Sequence, residues 1–190
     1  RSKKGVVFTI MAVVLSVFFT IIFAARFEQP LDHRTQIIET RIDMLNIYLM
    51  DFFKYAESAG SISGYAGLQG VLADMGTVPK RYYNGTNEFE SNFSYCVRTG
   101  NLTETKICPN MTNKTITYYL NNLNNLAKDR LNIKNSVYSI NNITVTQTLD
   151  AFALELVINI SLNISDAFAN LSNTQVITSL VSINGLQDPL

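Results

Sequence analysis

Between residues 152 and 164 the chain alternates strictly. Phe152, Leu154, Leu156, Ile158, Ile160, Leu162 and Ile164 are apolar, and Ala153, Glu155, Val157, Asn159, Ser161 and Asn163 sit between them. A period of two over that length predicts a long strand with one buried face. The alternation recurs in miniature where Ile143 and Val145 oppose Asn142 and Thr144. Strands are predicted near 137–147, 150–164 and 174–183. A different period governs the region before them. Ile38, Ile42, Leu45, Leu49, Phe52, Ala56 and Ala59 step by alternating fours and threes, which predicts a helix over 31–59. Ile37, Met44 and Tyr48 widen its stripe, a breadth that suits packing on the domain's own sheet better than a two-stranded coiled coil. Ala56, Gly60 and Gly64 are spaced by four and would let another element approach the helix backbone. Residues 76–112, rich in Gly, Asn and Thr, read as loop. Ile116, Tyr119, Leu120, Leu123, Leu126 and Ala127 predict a second amphipathic helix over 113–131.

The N-terminal pattern has no period at all. Val6 to Ala25 is a charge-free run of twenty residues behind Arg1, Lys3 and Lys4. As a helix it would be about 30 Å long, the thickness of a bilayer's hydrocarbon core. Its polar residues, Thr9, Ser16 and Thr20, can each return a hydroxyl to a backbone carbonyl. A cleavable secretory signal has a shorter apolar run and a small-x-small site, and here Phe23 stands where a small residue belongs. The fold expected is therefore α+β. A long N-terminal apolar helix would continue into an amphipathic helix packed on a C-terminal antiparallel β-rich head. The domains would be 1–30, a transmembrane or filament-core helix, and 31–190, an extracellular head with strands over 137–183.

Charge and composition change this picture little. Lys plus Arg equal Asp plus Glu at 15 each, and no basic stripe with interleaved aromatics points to nucleic acid. The two cysteines, Cys96 and Cys108, lie in a polar, turn-like stretch without a C-x₂-C pattern or a nearby His, which argues against zinc. A disulfide is the natural reading for an exported domain, and two unrelated thiols the alternative. The Gly-rich run 60–70 lacks G-K-[ST] and follows a helix, so it is not read as a phosphate loop.

Asparagine alters the picture more. N-x-[ST] occurs at Asn84, Asn92, Asn101, Asn110, Asn113, Asn142, Asn159, Asn163 and Asn170. With 20 Asn and 31 Ser or Thr among 190 residues, chance gives about three such triplets. An N-linked glycan requires an exposed acceptor on an exported chain. Asn159 and Asn163 both fall on the polar face of the predicted strand, where glycans would hinder edge-to-edge association. N-linked glycans are the only non-protein groups expected, with no metal and no cofactor. The single His, His33, lies beside Asp32 and Arg34 and reads as a solvated residue rather than a base. Asp43, Asp51 and Glu57 read as the polar flank of the helix. The chain is not expected to be an enzyme.

The Lys3-Lys4-Gly5 start before a charge-free helix resembles archaeal type IV pilin-like proteins. The C-terminal half, ending Gly185 to Leu190, is similar to β-rich ectodomains of archaeal surface proteins with a Gly-x-x-Asp-Pro-Leu stretch. The resemblance implies processing after Gly5, leaving Val6 first. The Glu that bacterial-type pilins carry five residues into the mature chain is replaced here by Ile10. It also implies a structural subunit of an extracellular pilus-like surface filament serving adhesion. Partners would be copies of the chain in a helical homopolymer and the membrane before assembly, with no nucleic acid. Val6, Val13, Val14, Val17 and Ile21 would lie in the filament core and glycosylated heads on its surface. The alternative is a single-pass membrane-anchored glycosylated ectodomain for adhesion or cell-envelope contact.

Overall fold

The computed structural model describes residues 3–76, 83, 85–150, 152–184 and 186, excepting the side chains of 3–12 and 22–34. The elements run α1 (Lys3–Met75), α2 (Thr86–Thr99), α3 (Ile116–Leu131), β1 (Asn135–Gln147), β2 (Ala153–Ser165) and β3 (Asn170–Ser182). The chain divides into two compact units, Arg1–Met44 and Leu45–Leu190.

The first unit corrects the expected fold. Helices and an antiparallel sheet are present, but the long apolar N-terminal helix is not: among the described residues no helix is long and apolar enough to cross a membrane. Residues 3–75 form one helix without a separate element beginning at 31. From residue 35 onward α1 is amphipathic, with Glu39 and Asp43 exposed.

In the second unit α1 changes character. Among the described residues of α1, Leu45 is the first to be buried, and Tyr48, Phe52, Ala56, Ala59, Ser63, Leu68 and Val71 continue the stripe. Ile37 and Ile38, at the head of the expected stripe, are exposed. The helix also passes the expected end at residue 59 and runs through the glycines to Met75. The reason is close packing. A Cβ at Gly60 would lie 2.3 Å from Ser179 Oγ, and one at Gly64 2.5 Å from Leu156 Cδ1. A Cβ at Gly70 would lie 2.5 Å from the carbonyl oxygen of Pro109. Each glycine costs a helix about 1 kcal/mol relative to Ala, and here the contacts that its absent side chain permits outweigh that.

The sheet has the order β1-β2-β3 and is antiparallel throughout. Central β2 buries Leu156, Ile158, Ile160, Leu162 and Ile164 completely. Ile140 and Ile143 of β1 and Ile177 and Val181 of β3 extend the same face. Phe152, first in the alternating series, precedes β2 and is exposed.

The segment read as loop over 76–112 contains α2. Phe89, Phe93, Cys96 and Val97 form its apolar stripe, and Gly100 ends it in the left-handed conformation (φ 82°), its N–H bonding the Cys96 carbonyl at 2.8 Å. Left-handed backbone without strain is what glycine supplies at such an end. Thr115 begins α3, its hydroxyl accepting from the Tyr118 N–H at 3.0 Å, and Asn132 closes it at φ 52°.

A buried polar node ties α1, α3 and β1. The Asn124 amide donates to the Ser136 carbonyl at 2.9 Å, and the Tyr48 hydroxyl makes a long 3.5 Å contact to Asn124 Oδ1. Asn124→Ala would strip both groups of a partner and is expected to lower stability by about 2 kcal/mol, read by urea unfolding. Nearby, the Tyr138 hydroxyl donates its one proton to Asn121 Oδ1 at 2.7 Å, with the Thr117 carbonyl a second acceptor at 3.1 Å. Burial pushes its phenol up to about 12. A folded-state value above the ordinary 10 means stability that is complete below pH 10 and lost as pH rises through 12. Burial also raises Tyr48, with the Ser136 hydroxyl pulling the other way. Tyr138→Phe is therefore expected to flatten the fall in melting temperature between pH 10 and 12.

Candidate functional site

The first unit carries an uncovered apolar surface. Val13, Val14, Leu15, Val17, Phe18, Phe19 and Ile21 are each between 53% and 62% exposed. A helix with apolar side chains all round is normally one with neighbours on every side. Thr20 returns its hydroxyl to the Ser16 carbonyl at 2.8 Å, so little polarity is left on this surface. Of the expected core residues, Val13, Val14, Val17 and Ile21 belong to it. Gly5 and Val6 lie on α1, but the side chains of Val6 and His33 fall outside the described residues. So do Gly185 and residues 187–190 of the C-terminal stretch.

The second unit carries the Asn-x-Ser/Thr sites. Asn110, Asn113, Asn142, Asn163 and Asn170 are exposed, and Asn101 and Asn159 are half-buried. Asn92 differs: it sits on the inner side of α2 at 8% exposed, because α2, unforeseen in the sequence, turns it inward. An acceptor buried in this way is not accessible in the folded chain. Asn84 lies outside the described residues. Asn159 and Asn163 project from the face of β2 opposite Ile158 and Ile164, and Asn142 pairs with Asn159 across the ladder. Asn159 Oδ1 accepts from Asn141 Nδ2 at 3.2 Å.

Cys96 and Cys108 form a disulfide with their Cα atoms 5.7 Å apart. It closes a small hairpin in which Asn101 and Ile107 pair and the Leu102 N–H bonds the Lys106 carbonyl at 2.7 Å. The bridge lies against α1, where a Cβ at Gly70 would be 2.6 Å from Cys108 Sγ. Lys106, on the same hairpin, pairs with Asp74, which is 2% exposed at the end of α1. A buried carboxylate needs such a partner. Sequence reasoning missed the pair, and a buried acid 32 residues from its lysine leaves no local signature.

Asp43, Asp51 and Glu57 are exposed along α1. Among the described residues no group of three or more His, Cys, Asp or Glu is placed to hold a metal ion. No family model, curated protein or solved structure matches the chain.

Proposed function

We propose that this chain is a structural subunit of an extracellular, pilus-like surface filament built from copies of itself and serving adhesion. The archaeal type IV pilin-like proteins that its N-terminus resembles are the model for this reading. The observation that carries it is the exposed apolar surface from Val13 to Ile21. A patch of seven large apolar side chains on one helix segment marks a site of association. Covering side chains already more than half exposed is worth about 1 kcal/mol each, and a helical array lets every copy gain it on several sides. The remaining features fit export. A disulfide persists in oxidising compartments, and the second unit presents seven accessible or half-accessible glycan acceptors, Asn101, Asn110, Asn113, Asn142, Asn159, Asn163 and Asn170.

Cross-linking tests this reading. With Val17→Cys in place and a short bis-maleimide applied to intact cells, the filament predicts cross-linked dimers on denaturing gels, the one free thiol of each chain allowing a single bridge. A chain held singly in the cell envelope would yield monomer alone, and that result would remove the proposal.

A further inference from the structure

A groove of about 630 Å³ opens between α2, the disulfide hairpin and β1. That volume falls within the range of small-molecule sites, about 300–1,000 Å³. Its lining is unlike an ordinary apolar pocket. Glu90, Arg98 and Asn141 bring a carboxylate, a guanidinium and an amide to it, and Tyr95 contributes a partly exposed ring. These planar polar groups can each make paired hydrogen bonds. An aromatic ring beside them offers an apolar surface to a ligand that is polar at its rim. Vicinal hydroxyls on a ring with a C–H face match both features.

Three details show that the lining is organised. The Glu90 carboxylate is fixed, with Oε1 accepting the Val145 N–H at 3.1 Å. The ladder between β1 and β2 slips between Ile140 and Asn142, a bulge that inserts one residue and brings both Asn141 and Asn142 to the groove. Bulges re-aim side chains in this way. Finally, the hydroxyl of Ser94, a lining residue, is buried with no hydrogen-bond partner among the described residues.

We propose that the groove binds a saccharide. Two sources share that chemistry: the glycan of this chain's own Asn142, at the groove's rim, or a glycan on another surface. The first source rests on the glycosylation in the proposed function; the saccharide chemistry of the groove does not.

The test uses the full chain produced in detergent from a host that adds no N-glycans, its fold verified by thermal melting. The probes are an array of neutral and uronic-acid oligosaccharides and the N-glycans released from natively produced chain. At least one probe is expected to bind. Tyr95→Ala and Arg98→Gln should each weaken that binding at least tenfold, while Val176→Ser, on β3, leaves it unchanged. If the chain's own glycan is the occupant, natively glycosylated chain binds no free sugar and Asn142→Gln restores binding. If the source is foreign, glycosylated and unglycosylated chains bind alike. A folded, unglycosylated chain that binds no probe would overturn the proposal, as would binding indifferent to Tyr95→Ala and Arg98→Gln. Neither result depends on whether filaments form.

Discussion

If the proposed filament forms, Val14→Asp is expected to abolish its assembly and to leave the second unit folded. Val14 is 62% exposed within the apolar surface of α1, so the variant places a carboxylate where neighbouring copies would pack. In the free chain that carboxylate is hydrated and costs nothing. In the assembly it has no basic partner among the flanking residues, Ala12 to Ser16. Burying one unpaired ion costs several kcal/mol even after relaxation. About 4 kcal/mol per subunit weakens each addition roughly a thousandfold, enough to empty the sedimentable fraction. Val14→Leu keeps the surface apolar and should assemble. The readout is polymer recovered by ultracentrifugation beside the melting curve of the unassembled chain. Normal polymer yield from Val14→Asp would show that this surface is not the contact.

The second large effect belongs to the disulfide. Replacing both cysteines, Cys96→Ala with Cys108→Ala, is expected to cost about 3 kcal/mol. The bridge spans 12 residues, and closing a loop of that size removes about that much conformational freedom from the unfolded chain. For a domain of this length the loss corresponds to a fall in melting temperature of about 6–12 °C. The native state should also loosen locally. The hairpin positions Lys106 against buried Asp74 and the Pro109 carbonyl against Gly70, so faster amide exchange is expected in α1 around residues 67–75. A melting temperature indifferent to the double substitution would show that packing alone holds the hairpin in place.

Legibility differed from element to element. The β2 strand could be read residue by residue because alternation maps directly onto the two faces of a sheet. The stripe from Leu45 to Ala59 was legible for the same reason at helical period. The glycines were half legible: their spacing by four announced the close approach that β2 and β3 make at Gly60 and Gly64, but Gly60, Gly64, Gly67 and Gly70 also suggest a helix end by propensity, whereas α1 continues because neighbours occupy the space their side chains would take. Tertiary packing overrides propensity in such places. The α2 helix was hidden by Asn, Ser and Thr, although Phe89, Phe93, Cys96 and Val97 held the helical spacing that would have revealed it. Missing α2 left Asn92 among the expected acceptors and concealed the groove, whose lining comes from α2, the hairpin and β1. The apolar N-terminal run was plain in composition, but composition alone led to a membrane-crossing helix that the described residues do not contain.

The measurement that bears most directly on the central claim is electron microscopy of material sheared from the surface of cells that make this chain, with mass spectrometry of the same fraction. The account predicts filaments in which this chain is the principal protein and in which its peptides carry glycans at acceptors such as Asn163. A sheared fraction without filaments, with the chain recovered as single molecules in the cell envelope, would contradict it.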